Sequence, residues 1–232
     1  MYICAHLFTG ILLGLGVFHI TGDRRAFPVC IAGSLLPDLL DKPLMLLVPG
    51  VFGSTRTIGH SLLLVSVLVL TATILWYRNR TILGISFAVS VLLHQISDLM
   101  WTFPVTWFFP LNGMFPFATV SGNFWDFLLL ELTNPSEWVF ALASGILVVT
   151  GFAGTREYRL PLFSSRRPDI LLYATACILG STALYLIAGM NPALLPFPSW
   201  SGEPDKTFVA GLVALCGAII FMILPGMNRP AA

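Results

Sequence analysis

At 232 residues, with 56% apolar side chains, 10% charged ones and a mean hydropathy of +0.87, the chain has too few charges to cover a soluble globule. A net charge of +1 without clustered Lys and Arg excludes the electrostatic footprint of a nucleic-acid binder. Composition therefore predicts an all-α integral membrane protein, a polytopic bundle of about six to seven transmembrane helices with the lipid bilayer as its partner.

In chain order, Ile3 to Ile20 is long enough to cross a bilayer and lacks the basic start and small-residue exit of a signal peptide, so an uncleaved helix is expected. Gly10, Gly14 and Gly16 would let a second helix approach it closely. Phe27 to Leu40 is a shorter apolar run closed by Pro37, which reads as a tilted or broken helix or as a re-entrant hairpin. Leu44 to Ser54 reads as an interfacial connection. A third helix is expected from His60 to Tyr77, and a fourth from Thr81 to Trp101, with Trp101 and Trp107 as interfacial anchors. Thr102 to Pro135, rich in Phe, Pro and Trp and carrying Asp126 and Glu131, could pack as a cap. Three more helices are readable at Glu137 to Phe152, Ile170 to Gly189 and Thr207 to Leu224, joined by polar links. The chain divides at about residue 110 into a motif-bearing half and a C-terminal half of cap and helices, within one membrane domain. Cys4, Cys30, Cys177 and Cys216 show no C-x-x-C pairing and read as buried small apolar residues.

Orientation follows from the basic residues, which concentrate in cytoplasmic loops. If every run crosses, Arg24, Arg25, Arg78, Arg80, Arg156, Arg159, Arg166, Arg167 and Arg229 fall on one side, and Lys42, Arg56 and Lys206 on the other. This places the N-terminus outside a plasma membrane and gathers His6, Asp38, Asp41, Arg56, His60 and Asp98 at its extracytoplasmic face, with His94 one turn deeper. His19 lies about 20 Å from His6 along the same helix and is excluded from that group.

The chemistry of the chain is concentrated in three clusters: Pro37-Asp38-Leu39-Leu40-Asp41-Lys42-Pro43, Arg56-Thr57-Ile58-Gly59-His60-Ser61 and His94-Gln95-Ile96-Ser97-Asp98. Carboxylates and imidazoles are ligands for divalent cations, and His94 and Asp98 at i and i+4 would share one face of a helix. Each residue also has a plainer reading. Asp38 and Asp41 could cap a helix end beside Lys42, Arg56 could anchor at the interface, and a lone His could be a contact between helices. As a group they favour a metal or acid–base site, because ionisable side chains at membrane depth are costly and tend to be functional.

The series His6-Leu7-x-x-Gly10, Leu36-Pro37-Asp38-Leu39-Leu40-Asp41-Lys42-Pro43, Arg56-x-x-x-His60-Ser61-Leu62-Leu63 and His94-x-x-x-Asp98 resembles the motifs of the YdjM-type family of membrane-bound, metal-dependent hydrolases. The resemblance covers about residues 1 to 110 and implies hydrolysis of an undefined substrate. Many members carry Asp-x-Asp-His after the proline and His-Arg-x-x-Thr-His further on. Here the second acid is displaced by one residue, and Lys42, Thr55 and Gly59 stand at the His, His and Thr positions. The Asp-Lys-Pro and Arg-x-x-x-His-Ser forms resemble archaeal-type members, and the loss of imidazoles favours one metal ion over two.

The mechanism expected from these residues is metal-assisted hydrolysis. His60, His94 and Asp98 would hold one divalent ion, zinc in the first place and manganese in the second, with His6 or Asp38 completing the set. Asp41 is expected to act as general base or to orient an imidazole. Arg56 is expected to take an anionic group of a lipid-like phosphoester or ester. The Lys-x6-Arg-Pro, Pro-Ser-Gly-His and Arg-x5-His-x3-Asp stretches of phosphatidic-acid-type phosphatases do not occur. The alternative is a non-enzymatic transport, ion-binding or interaction protein using the same polar cluster. Sequence leaves the oligomeric state open.

Overall fold

The computed structural model describes residues 3–48, 53–116, 125–126, 129, 132–153, 167–188 and 204–227, and in these the chain is helical. The helices are α1 (Ile3–Thr21), α2 (Ala26–Leu47), α3 (Leu62–Asn79), α4 (Leu83–Ser97), the short α5 (Pro104–Trp107), α6 (Pro135–Ala153), α7 (Arg167–Ala188) and α8 (Pro204–Met227). Single 3-10 turns at Ile58–His60 and Met100–Thr102 precede α3 and α5. Two compact units result, one of residues Thr9–Glu131 and one of Met1–Phe8 with Leu132–Ala232.

In the first unit α2 packs between the body of α1 and α4, because small residues remove the side chains that would hold the backbones apart. A Cβ on Gly14 would lie 2.9 Å from Phe27 Cα, and one on Gly33 would lie 2.7 Å from Phe87 O. Gly10 sits equally close to Ser34, whereas Gly16 faces nothing within 4 Å. In the second unit α7 and α8 run against one another. Phe8 packs on Phe140 at 5.5 Å between ring centroids, and the Cys4 N–H donates to Glu137 Oε2 at 2.7 Å.

The run expected to break at Pro37 is instead one helix of 22 residues with Pro37 and Pro43 inside it. Asp38 and Asp41 are thus interior residues of α2, not caps, and the connection expected at Leu44 begins only after Leu47. Thr102 to Pro135, read as a cap, lies partly outside the described residues, Glu131 included, and so do most of the links after Phe152 and Gly189. Cys30 is buried, and burial pushes its thiol up to about 11, but Cys177 and Cys216 are exposed, against expectation.

The expectation of six to seven spans is overturned. Among the described residues, α1 and α3 alone are long and apolar enough to cross a membrane. The physical reasons are visible in the other helices. α2 carries Asp38, Asp41 and Lys42, and α4, at 15 residues, covers about 22 Å where a bilayer core needs about 30 Å. Two candidate spans do not carry a multi-pass plasma-membrane topology, so the extracytoplasmic placement of the polar cluster loses its basis. Arg156, Arg159, Arg166 and Arg229, on which that orientation leaned, lie outside the described residues. α3 does have the character of a lipid-facing helix, apolar around its circumference with Val67, Leu70 and Ile74 exposed.

Gly33→Ala is expected to destabilise the protein by about 1–3 kcal/mol through overpacking against backbone that cannot yield. Gly16→Ala, in open space on a helix, should be neutral or stabilising by up to about 1 kcal/mol. Thermal unfolding in detergent followed by helical circular dichroism compares the two, and equal effects would refute the account of the α2–α4 contact.

Candidate metal centre

The site forms where α2, the Ile58–His60 turn and the end of α4 meet. Asp41, fully buried on α2, organises it. One of its oxygens accepts from Thr57 Oγ1 and from the Gly59 N–H, both at 2.8 Å. The other accepts from the Thr57 N–H at 2.6 Å and from His60 Nδ1 at 2.8 Å. The turn can close this tightly because residue 59 is glycine, for a Cβ there would lie 2.6 Å from Pro37 O and 3.0 Å from the Asp41 carboxyl. Ser61 ends the turn and caps α3, its hydroxyl accepting from the Leu64 N–H at 3.4 Å.

His94 is positioned by α2 as well. Pro37 offers no N–H, so the Gly33 carbonyl loses its usual helical donor. One residue further, Ser34 O accepts from His94 Nδ1 at 2.6 Å. A carbonyl only accepts, which places a proton on Nδ1 of His94, and the Asp41 carboxylate does the same for His60. The two Nε2 atoms then face each other at 3.2 Å. In the neutral rings both carry lone pairs, which repel unless a proton or a metal ion lies between them. Burial disfavours a protonated His60, but hydrogen bonds to Asp41 and Asp98 and their negative charges outweigh it and raise its pKa above the ordinary value.

Carboxylates complete the cluster. Asp38 Oδ1 lies 3.8 Å from His60 Nε2 and 3.9 Å from His94 Nε2, and Asp98 Oδ2 lies 3.5 Å from His60 Nε2. Ligands about 2.0–2.1 Å from a tetrahedral zinc ion stand about 3.3 Å apart, and the Asp38, His60 and His94 atoms, 3.2 to 3.9 Å apart, come near that spacing. Asp38, His60 and His94, all buried, form a group able to hold a metal ion.

The sequence-derived residues thus fall into place unequally. Asp38, Asp41, His60, His94, Asp98 and Arg56 are all in this one unit, Arg56 reaching Asp98 Oδ2 through Nε at 3.4 Å. His6, buried on α1, belongs to the other unit. His19 is exposed. Three contributors escaped attention in the sequence. Thr57 gives Asp41 two hydrogen bonds, and Ser34 fixes His94 through its carbonyl. Gln95, fully buried, donates to the carbonyls of Gly59 and Ser61 on either side of His60, both at 3.0 Å, and accepts from Trp107 Nε1 at 3.0 Å. An amide in an apolar helix beside His94 was the available signal for Gln95. Nothing in the sequence marks a backbone carbonyl such as that of Ser34.

The profile of the YdjM inner membrane protein family matches residues 1–160, more than half of the chain and all of these residues. The chain belongs to this family. No curated protein and no solved structure matches it at a significant level. Family membership, the apolar helices α1 and α3 and the buried cluster together describe a membrane-associated protein with a metal-binding cluster.

Gln95→Leu should cost about 1–3 kcal/mol, because two buried carbonyls and the Trp107 N–H lose their partner. Its tryptophan emission should shift, and in the background of Trp107→Phe that shift should vanish. An unchanged spectrum would mean that Trp107 and Gln95 are not coupled.

Proposed function

We propose that the protein is a membrane-associated, metal-dependent hydrolase with one metal centre held by Asp38, His60, His94 and Asp98. The observation that carries this reading is the pair of imidazoles whose Nε2 atoms stand 3.2 Å apart, each ring fixed by an acceptor at Nδ1, with two carboxylates beside them. A set of two nitrogen and two oxygen donors favours zinc, with manganese second. Asp38 takes the fourth place, for which His6 was the alternative. A divalent ion bound there supplies Lewis acidity and a water acidified toward neutral pH.

The chain's own residues then have separate tasks. His60 and His94 are held in the tautomer that presents Nε2. Asp41 orients His60 and raises its basicity; four donors occupy its oxygens, which favours this role over that of general base. Arg56, bonded to Asp98, binds an anionic part of the substrate. A membrane-associated chain with such a site favours a lipid-like phosphoester or ester, and the Asp41-Lys42-Pro43 and Arg56-x-x-x-His60-Ser61 forms are read as the archaeal-type variant of the family.

Metal analysis of the detergent-purified protein tests the centre. Near-stoichiometric zinc or manganese is expected in the parent and less than about a tenth of it in His60→Ala, His94→Ala and Asp98→Ala. Asp41→Asn should bind 10–100-fold more weakly, yet still bind. Hydrolysis of phosphoester or ester lipids should stop on chelation and return with the metal. A parent that stays metal-free after incubation with zinc and manganese would sink the reading.

A further inference from the structure

Two cations border the cluster, and each is tied to one of its carboxylates. Lys42 Nζ lies 3.0 Å from Asp38 Oδ2, one helical turn along α2, and Arg56 Nε lies 3.4 Å from Asp98 Oδ2. The Arg56 guanidinium also lies over the Phe103 ring, 4.8 Å from its centroid, which fixes the plane of the group. With Nε engaged and the plane fixed, the terminal Nη groups meet no protein acceptor among the described residues. The side chain is only 19% exposed. An interfacial anchor would turn its guanidinium outward to water and headgroups. Arg56 instead turns its Nε to Asp98 at the cluster.

Charge narrows what those donors take. Asp38, Asp41 and Asp98 outnumber Lys42 and Arg56 by one negative charge, and a divalent ion would reverse the balance to one positive, which favours an anion over a neutral ester. A phosphomonoester presents three acceptor oxygens, enough to engage a planar guanidinium fork and an ammonium together. A carboxylate has one charge and two oxygens. We infer that Arg56 and Lys42 form the anion-binding rim of the metal centre and that the group they receive is the phosphoryl group of a phosphomonoester, an inference that rests on the metal-centre reading above. Lys42, at the position where many family members carry a histidine, is on this account a substrate-binding residue.

The test uses the full chain in detergent, loaded with zinc, and titrates it calorimetrically with inorganic phosphate while metal content is measured in parallel. The parent should bind phosphate saturably. Arg56→Ala should weaken that binding about 10–100-fold and Lys42→Ala about 3–10-fold, with zinc retained, and Arg56→Lys should recover part of the loss. If Arg56→Ala releases zinc by loosening Asp98, the Lys42→Ala and Arg56→Lys proteins decide. Displacement of bound phosphate by micellar phosphatidic acid but not by glycerol 3-phosphate would identify a lipid source of the phosphoryl group, and the reverse a soluble one. A zinc-loaded parent that ignores phosphate, or variants that bind it as the parent does, would overturn the rim while leaving the metal centre standing. A parent without zinc fails in the metal analysis and takes both readings down.

Discussion

A carboxylate buried without a counter-charge is one of the costliest groups a fold can contain, and Asp41 is tolerated because the 57–60 segment surrounds it with donors. The dependence runs both ways. A 3-10 turn of three residues has little structure of its own, and it adopts this shape because Asp41 gathers two backbone N–H groups, a hydroxyl and an imidazole. Once the turn is set, His60 has no freedom left, and Gln95 holds it from the other side. Protein hydrogen bonds therefore hold both imidazoles in place, which lowers the ordering cost of binding an ion.

The same helix that supplies Asp41 supplies nearly everything else. α2 offers Asp38 as a donor, Ser34 O as the acceptor for His94 and Gly33 as the point of closest approach to α4. Its charged residues explain why it falls short of the composition of a spanning helix. Fold and site are in tension here, since the residues that make α2 chemically useful are those that a hydrocarbon environment would reject. α3, which supplies no residue to the site, is free to be apolar on all sides.

Sequence reading recovered the helices well where an apolar run ended at charged or glycine residues, as with α1, α3 and α7, and recovered the polar residues of the site because they stand out against an apolar chain. It failed on α2, where Pro37 suggested an end. A proline removes one hydrogen bond, and packing of glycine and serine faces against α1 and α4 is strong enough to carry the helix through. It also overcounted spans, because an apolar run in a sequence does not reveal how much of it becomes helix, and α4 stops at Ser97, four residues before Trp101. Sequence reading gave Asp38 and Asp41 different roles, one as a metal ligand and the other as a base or as the orienter of an imidazole. Their difference lies in which side of His60 each approaches, and that depends on the fold of the intervening turn.

Asp38 and Asp41 stand three positions apart on one continuous helix, which brings them to the same side of it. Adding or removing a single residue between them would rotate one relative to the other by about 100°, enough to carry an oxygen out of reach of His60. Spacing in this segment is therefore under tighter control than identity: Leu39 and Leu40 can change character, but their number cannot. The centre behaves in this respect like a reading frame, intact under substitution of its spacer and lost on a shift by one.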